Sequence, residues 1–213
     1  MNKFMQEILD GVVNGDNHLV PEKVNGALEN GTPPEAVLNE ALIPAMAEVG
    51  RRFEAGEYFV PEMLISARAM KSGMAILKPK LVKQNFKSYG KIVVGTVKGD
   101  LHDIGKNLVS LMLEGAGFEV IDAGSDVAPE KFVELAKANH ADIIGLSALL
   151  TTTMTNMIAT VTALDQAGLK GKIKVMIGGA PVTAGYAAQI GADGYAEDAS
   201  KAVALAKQLI DRL

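Results

Sequence analysis

The chain has 213 residues, 48% of them hydrophobic, with 21 basic and 25 acidic side chains and a formal net charge of -4. That balance offers no basic face for nucleic acid, and the absence of cysteine excludes disulfides, thiolate nucleophiles and cysteine metal cages. No apolar run is long enough to span a membrane and no signal-peptide pattern opens the chain, so a soluble cytoplasmic protein is expected.

Residues 1–85 read as helices only. Phe4, Met5, Ile8, Leu9 and Val12 share one helical face, and Gly15-Asp16 ends that helix and caps the next. Val24, Ala27 and Leu28 continue a second helix, with Pro21 near its start, up to Asn30-Gly31. Thr32-Pro33-Pro34-Glu35 reads as a capping box. A long stripe from Val37 to Phe53 follows, with Pro44 expected to kink it. After the turn Gly56-Glu57-Tyr58-Phe59, a fourth stripe runs from Val60 through Met63 and Met70 to Leu77. Four amphipathic helices joined by short turns predict a small antiparallel bundle. Residues 78–90 are polar and basic, contain a proline, and predict a linker.

From residue 90 to 213 short Val/Ile runs alternate with helical patterns. Strands are predicted near 91–97, 118–122, 142–147, 173–177 and 193–196. Helices are predicted near 105–116, 129–139, 153–167, 182–190 and 198–212. Such alternation predicts a doubly wound parallel sheet of five strands with helices on both faces.

In a parallel sheet the carboxyl ends of the strands share one edge, where ligands bind. Three of these ends carry unusual residues. The first leads into Gly99-Asp100-Leu101-His102-Asp103-Ile104-Gly105-Lys106-Asn107; the third gives Ser147, Leu149, Leu150 and Thr151-Thr152-Thr153; the fourth gives Gly178-Gly179-Ala180. A carboxylate on one imidazole nitrogen fixes the tautomer and makes the other nitrogen a better ligand, and both Asp100 and Asp103 are near enough in sequence to His102. Read alone, His102 is better taken as a solvated loop histidine with acidic neighbours. His140 falls on the opposite edge and His18 in a bundle turn. One histidine is a thin set for zinc, which takes three or four protein ligands. No Ser–His–Asp spacing is readable. Gly99 to Lys106 is no phosphate loop either, because its glycines are misspaced and Asn107 replaces the Ser or Thr that binds magnesium. One good ligand with many small residues around it points to a large cofactor that carries the chemistry.

Asp100-x-His102-x-x-Gly105, with Ser147-x-Leu149 and Gly178-Gly179 behind it, resembles the signature of cobalamin-binding methyltransferase modules. Val97 to Asn107 is similar to the corresponding phrase of cobalamin-dependent methionine synthase, as is Phe59-Val60-Pro61-Glu62 with Ser66 to Lys71 in the helical half. The resemblance covers nearly the whole chain, and its two-domain size is nearest the corrinoid proteins of methanol, methylamine, betaine and aryl methyl ether methyl-transfer systems. It implies a bundle cap over 1–85, a flavodoxin-like domain over 90–213 with strand order 2-1-3-4-5, and cobalamin as cofactor. His102 would be the lower axial ligand of cobalt in place of the cofactor's own base, and Asp100 its hydrogen-bond partner. Leu101, Asp103, Ile104 and Gly105 would surround it. A hydroxyl of Ser147 or of Thr151 to Thr153 would complete the relay. Ser147, Leu149 and Leu150 would line the tail pocket, Gly178, Gly179 and Ala180 would border its nucleotide end, and Phe59, Met63 and Met70 would cap the corrin. The resemblance further implies a methyl carrier rather than a complete enzyme. It would cycle between cob(I)alamin and methylcobalamin, and be served by a substrate-specific methyltransferase, a second methyltransferase acting on a tetrahydrofolate-type pterin, and a reductive activase. A cobalamin-binding sensor is the alternative of another class.

Overall fold

The structure, a computed structural model, describes residues 3–83 and 88–213. It divides into two compact units, Met1–Lys87 and Ser88–Leu213.

In the first unit α1 (Lys3–Val13) and α2 (Leu19–Glu29) are joined by a turn in which the Asp16 carboxylate accepts hydrogen bonds from the His18 and Leu19 N–H groups. Helix α3 (Pro34–Val37) runs through a π-helical turn (Leu38–Leu42) into α4 (Ile43–Glu54). The capping box expected at Thr32 is not formed. Pro33, not Thr32, occupies the N-cap, and its side chain has no oxygen to accept from the N–H groups of the first turn. The irregularity expected at Pro44 takes the form of the π turn. Proline cannot donate to the carbonyl four residues back and its ring crowds that carbonyl, and the wider turn immediately before it absorbs both effects.

Helix α5 spans Val60–Lys83, so the linker expected over 78–90 is helical through Lys83, with Pro79 inside the helix; residues 84–87 lie outside the described residues. An interior proline costs about 3 kcal/mol. Leu77 and Leu81, one turn apart around it, are both buried, and burial of each side chain contributes about 1.5–3 kcal/mol, enough to carry the helix past the proline.

The second unit alternates β1 (Lys91–Val97), α6 (Ile104–Gly115), β2 (Glu119–Val127), α7 (Pro129–Asn139), β3 (Ile143–Ser147), α8 (Thr151–Met154), α9 (Asn156–Gln166), β4 (Lys174–Gly178), α10 (Ala184–Ile190), β5 (Gly194–Ala196) and α11 (Ala199–Ile210). All strand pairs are parallel and the order is β2-β1-β3-β4-β5. Period-two alternation sends Val93, Val97, Ile144, Leu146, Val175 and Ile177 to one face with Phe132, Met157 and Leu164. Ile92, Val94, Ile143 and Met176 go to the other with Leu113, Phe118 and Leu209. Gly95 makes room on the first face, where a Cβ would lie 2.7 Å from the Phe132 ring.

Two elements differ from the sequence pattern. The helix expected over 153–167 is broken at Thr155 into α8 and α9. Strand β2 continues to Val127, five residues beyond its apolar run, because Asp122, Gly124 and Val127 pair with Val94, Gly95 and Val97 of β1.

Phe132 is fully buried. Phe132→Ala is expected to destabilise the second unit by about 3–5 kcal/mol, measured by urea unfolding followed by circular dichroism.

Candidate functional site

The strand order reverses direction between β1 and β3, and in such sheets the crevice at the carboxyl ends beside that reversal binds ligands. The chain leaves β1 through Lys98-Gly99, with Gly99 at φ 82, and places Asp100 beneath the crevice with no solvent exposure. Its carboxylate is the hub of the site. Oδ2 accepts hydrogen bonds from the Leu149 N–H at 2.8 Å, the Leu150 N–H at 3.4 Å and the Thr153 hydroxyl at 2.5 Å. Oδ1 accepts from the His102 N–H at 3.1 Å and faces His102 Nδ1 at 2.8 Å. Burial alone would raise the pKa of this carboxyl. The donors from Thr153, Leu149 and His102 outweigh it and hold the group well below the usual carboxylate range.

An ionised carboxylate can only accept, so His102 Nδ1 carries the proton and Nε2 keeps its lone pair. The residue is fixed at a further point, since its carbonyl accepts from the Thr96 hydroxyl at 2.8 Å. The ring side chain remains 52% exposed. Around it Leu101 and Ile104 are 76% and 80% exposed, and Leu149 and Leu150 are exposed as well. Gly105, in the first turn of α6, has nothing within 4 Å of the position a Cβ would take. A helical glycine costs about 0.5–1 kcal/mol relative to alanine, and no neighbour within the chain requires it. A flat, largely apolar group seated on His102 would use both the open space and the exposed aliphatic rim.

Asp103 turns away from the imidazole and accepts from Asn107 Nδ2 at 3.1 Å, which settles the choice of histidine partner in favour of Asp100. The hydroxyl on Asp100 is that of Thr153. Ser147 closes β3 between Thr96 and Gly178, and Thr151 is exposed at the start of α8. Gly179 (φ 127) serves the loop after β3, since a Cβ there would overlap the Ala148 carbonyl oxygen, while a Cβ on Gly178 would lie 3.0 Å from the Ala196 carbonyl oxygen of β5. Ala180 beside them is exposed. In the bundle, Phe59 is 65% exposed at the start of α5, its N–H donating to the Glu62 carboxylate at 2.9 Å. Met63 and Met70 are buried. Both lie on the apolar stripe of α5.

Three contributors escaped the sequence. Thr96 lies inside a strand, Asn156 (Nδ2 to the Lys98 carbonyl, 2.7 Å) opens α9, and Asp126 (Oδ1 from the Gly99 N–H, 2.8 Å) stands at the unrecognised end of β2. An acidic residue at each end of Asp122-Ala123-Gly124-Ser125-Asp126 was the available signal. Lys106 is buried with its ammonium on Asp122 (2.6 Å) and Asn107 (2.7 Å). Burial works against the charge of Asp122, but Lys106 and the Gly124 N–H lower its pKa, and the lysine ties α6 to β2.

A single oriented imidazole in an apolar crevice at a sheet switch point suits a metal cofactor that brings most of its own ligands. Among the described residues no cluster of three or more acidic or histidine side chains could hold a bare ion, and no helix is long and apolar enough to cross a membrane. Residues 90–204 match one family model of the B12 binding domain, and residues 5–78 match a second. The chain is 45% identical over 207 residues to dimethylamine corrinoid protein 3 of Methanosarcina acetivorans, covering 97% of each. It is 44% identical over 196 residues to trimethylamine corrinoid protein 2 of the same organism, covering 91% of this chain and 90% of that one. Its structure is similar to that of the methanol:cobalamin methyltransferase complex of Methanosarcina barkeri, with a TM-score of 0.89 and 30% identity over 99% of this chain and 80% of that one. The chain belongs to the B12-binding corrinoid proteins.

The Asp100 network has a pH signature. Because the folded-state pKa is depressed, its stabilisation is present above the unfolded carboxylate value of about 3.9 and is lost as pH falls through the folded value. Thr153→Val removes one donor to the charge and is expected to cost about 1.5–3 kcal/mol at pH 7. The gap to wild type should narrow as the pH is taken below about 4, measured by denaturant unfolding over a pH series.

Proposed function

We propose that this protein is the corrinoid methyl carrier of a methylamine-type methyltransferase system, with His102 as the protein ligand below cobalt. The observation that carries this role is the Asp100–His102 pair at the switch point, with Nε2 free and directed by a carboxylate that Thr153 and the Leu149 amide hold in place. When bound, the corrinoid supplies a cobalt centre that takes up and gives back a methyl group. The chain's part is to seat that group, to orient the imidazole and to keep its proton on Nδ1. Leu101, Ile104, Leu149 and Leu150 form the apolar rim, Gly105 leaves room for the ring system, and the crevice lined by Ser147, Gly178, Gly179 and Ala180 receives the tail. In the bundle, Phe59 is the exposed member of the three residues put forward for contact with the cofactor.

Support for the methylamine class comes from the identities with the dimethylamine and trimethylamine corrinoid proteins. The substrate-specific methyltransferase would dock to load the carrier. A second methyltransferase would take the methyl group to a tetrahydrofolate-type pterin, and a reductive activase would restore the carrier, all in the cytoplasm.

The test is a comparison of wild type, His102→Ala and Asp100→Asn, each reconstituted with hydroxocobalamin. After one-electron reduction to the Co(II) state, electron paramagnetic resonance on protein with nitrogen-15 histidine should show histidine nitrogen on cobalt in the wild type and none in His102→Ala. Asp100→Asn presents an N–H group to an existing donor whichever way the amide faces, so cofactor affinity or methyl transfer should fall about 10- to 100-fold. Cobalt in wild type coordinated by the cofactor's own base would overturn the ligand assignment. Failure to accept methyl groups from mono-, di- or trimethylamine in the presence of their methyltransferases would overturn the substrate class.

A further inference from the structure

The end of β2 borders the site but takes no part in the function above, and it is built irregularly. Against β1, Val94 pairs with Asp122, Gly95 with Gly124 and Val97 with Val127, with register shifts between these pairs. Residues of β2 beyond those matched in β1 are accommodated as bulges, which re-aim side chains. Asp126 lies in the second irregularity at φ 54, a left-handed conformation that Asp and Asn adopt far more readily than other residues with a Cβ.

From that position Asp126 grips the Gly99–Asp100 segment twice. Its Oδ1 accepts from the Gly99 N–H at 2.8 Å, and its own N–H donates to the Asp100 carbonyl at 2.9 Å. Asn156 holds the preceding carbonyl, that of Lys98, at 2.7 Å from α9. The ammonium of Lys98 also reaches the Asp126 carboxylate at 3.1 Å, but this pair is exposed and such pairs contribute little. Every one of these contacts falls on the two residues before Asp100 or on Asp100 itself, whose carboxylate then aims His102.

We infer that Asp126 is a positioning residue for the His102 ligand, acting through the Gly99–Asp100 backbone. This rests on the assignment of His102 as the cobalt ligand. What the position requires is an acceptor for the Gly99 N–H on a left-handed backbone; the charge is dispensable. Asparagine meets both requirements. Glycine keeps the backbone without strain and deletes only the acceptor, so Asp126→Asn and Asp126→Gly separate positioning from folding.

Two measurements test it. In holoprotein made with hydroxocobalamin and nitrogen-15 histidine, electron paramagnetic resonance of the Co(II) state should give one histidine-bound species in wild type and in Asp126→Asn. Asp126→Gly should add a species without histidine nitrogen and bind cobalamin about 10-fold more weakly, the lower end of the range for groups that support a metal ligand. In the cofactor-free protein, the Gly99 amide proton should be protected from exchange in wild type and Asp126→Asn and lose that protection in Asp126→Gly. An Asp126→Gly protein with the wild-type spectrum and affinity overturns the inference and leaves the His102 assignment standing. Asp126→Asn behaving like Asp126→Gly overturns it too. If Asp126→Gly does not fold, an unprotected Gly99 amide in wild type overturns it, and a protected one that Asp126→Asn retains upholds it. Wild-type cobalt without histidine nitrogen overturns the His102 assignment and this inference together.

Discussion

A buried carboxylate dictates the form of this site. Taking an ion such as that of Asp100 out of water costs several kcal/mol, and the chain offsets this with donors drawn from two loops and a helix. The amides of Leu149 and Leu150, the Thr153 hydroxyl and the His102 N–H and imidazole all converge on its two oxygens. Hydrogen bonds to a charged group contribute about 1.5–3 kcal/mol each, so several well-directed donors are enough and a single one is not. The loops after β1 and β3 must therefore approach each other closely. That requirement reaches as far as Gly179, whose missing side chain lets the Ala148 carbonyl lie where a Cβ would otherwise be. Gly179 thus has a duty within the fold itself.

The same carboxylate decides the chemistry of the imidazole. Being ionised, it accepts the Nδ1 proton and leaves Nε2 unprotonated, and its charge makes that nitrogen a stronger donor to a metal. Half of the ring is open to solvent while the residue is tied at its N–H, its carbonyl and Nδ1. The exposed aliphatic rim of Leu101, Ile104, Leu149 and Leu150 gains burial only when something apolar covers it. Polar anchoring below and apolar exposure above divide the crevice into a part that orients a ligand and a part that a cofactor completes.

Most of this was legible in the sequence, because it depends on periodicity and on one compact motif. Short apolar runs alternating with helical patterns located all five strands, and Asp100 and His102 lie close enough together to be read as a pair. What stayed hidden depended on register. Thr151, Thr152 and Thr153 are indistinguishable as letters; only the start of α8 at Thr151 turns the third of them toward Asp100. Met63 and Met70 share a stripe with core residues, and nothing in the spacing tells a methionine that packs from one that faces a ligand. The extension of β2 was missed because Asp122 to Asp126 carry no apolar alternation. Pairing of Asp122, Gly124 and Val127 to β1 carries the strand through them, and pairing is a property of the neighbour rather than of the segment. At Pro79 a local rule gave way to tertiary burial of Leu77 and Leu81.

On the proposed role of His102, the placement of these groups explains why one histidine would suffice. A flexible imidazole would have to give up rotamer freedom when it bound a metal, and that loss subtracts from affinity. Here the ring is held before any ligand arrives by a carboxylate that is itself held by backbone amides on a rigid sheet edge. The corrinoid family to which the chain belongs carries a metal already surrounded by a macrocycle, so the protein need contribute only one donor and a shaped floor. The design problem is then accuracy of a single vector rather than the number of ligands. Accuracy is supplied by stiffness in β1 and β3, two strands paired in register over five residues up to Thr96 and Ser147. From their ends Asp100, His102 and the Leu149 amide project.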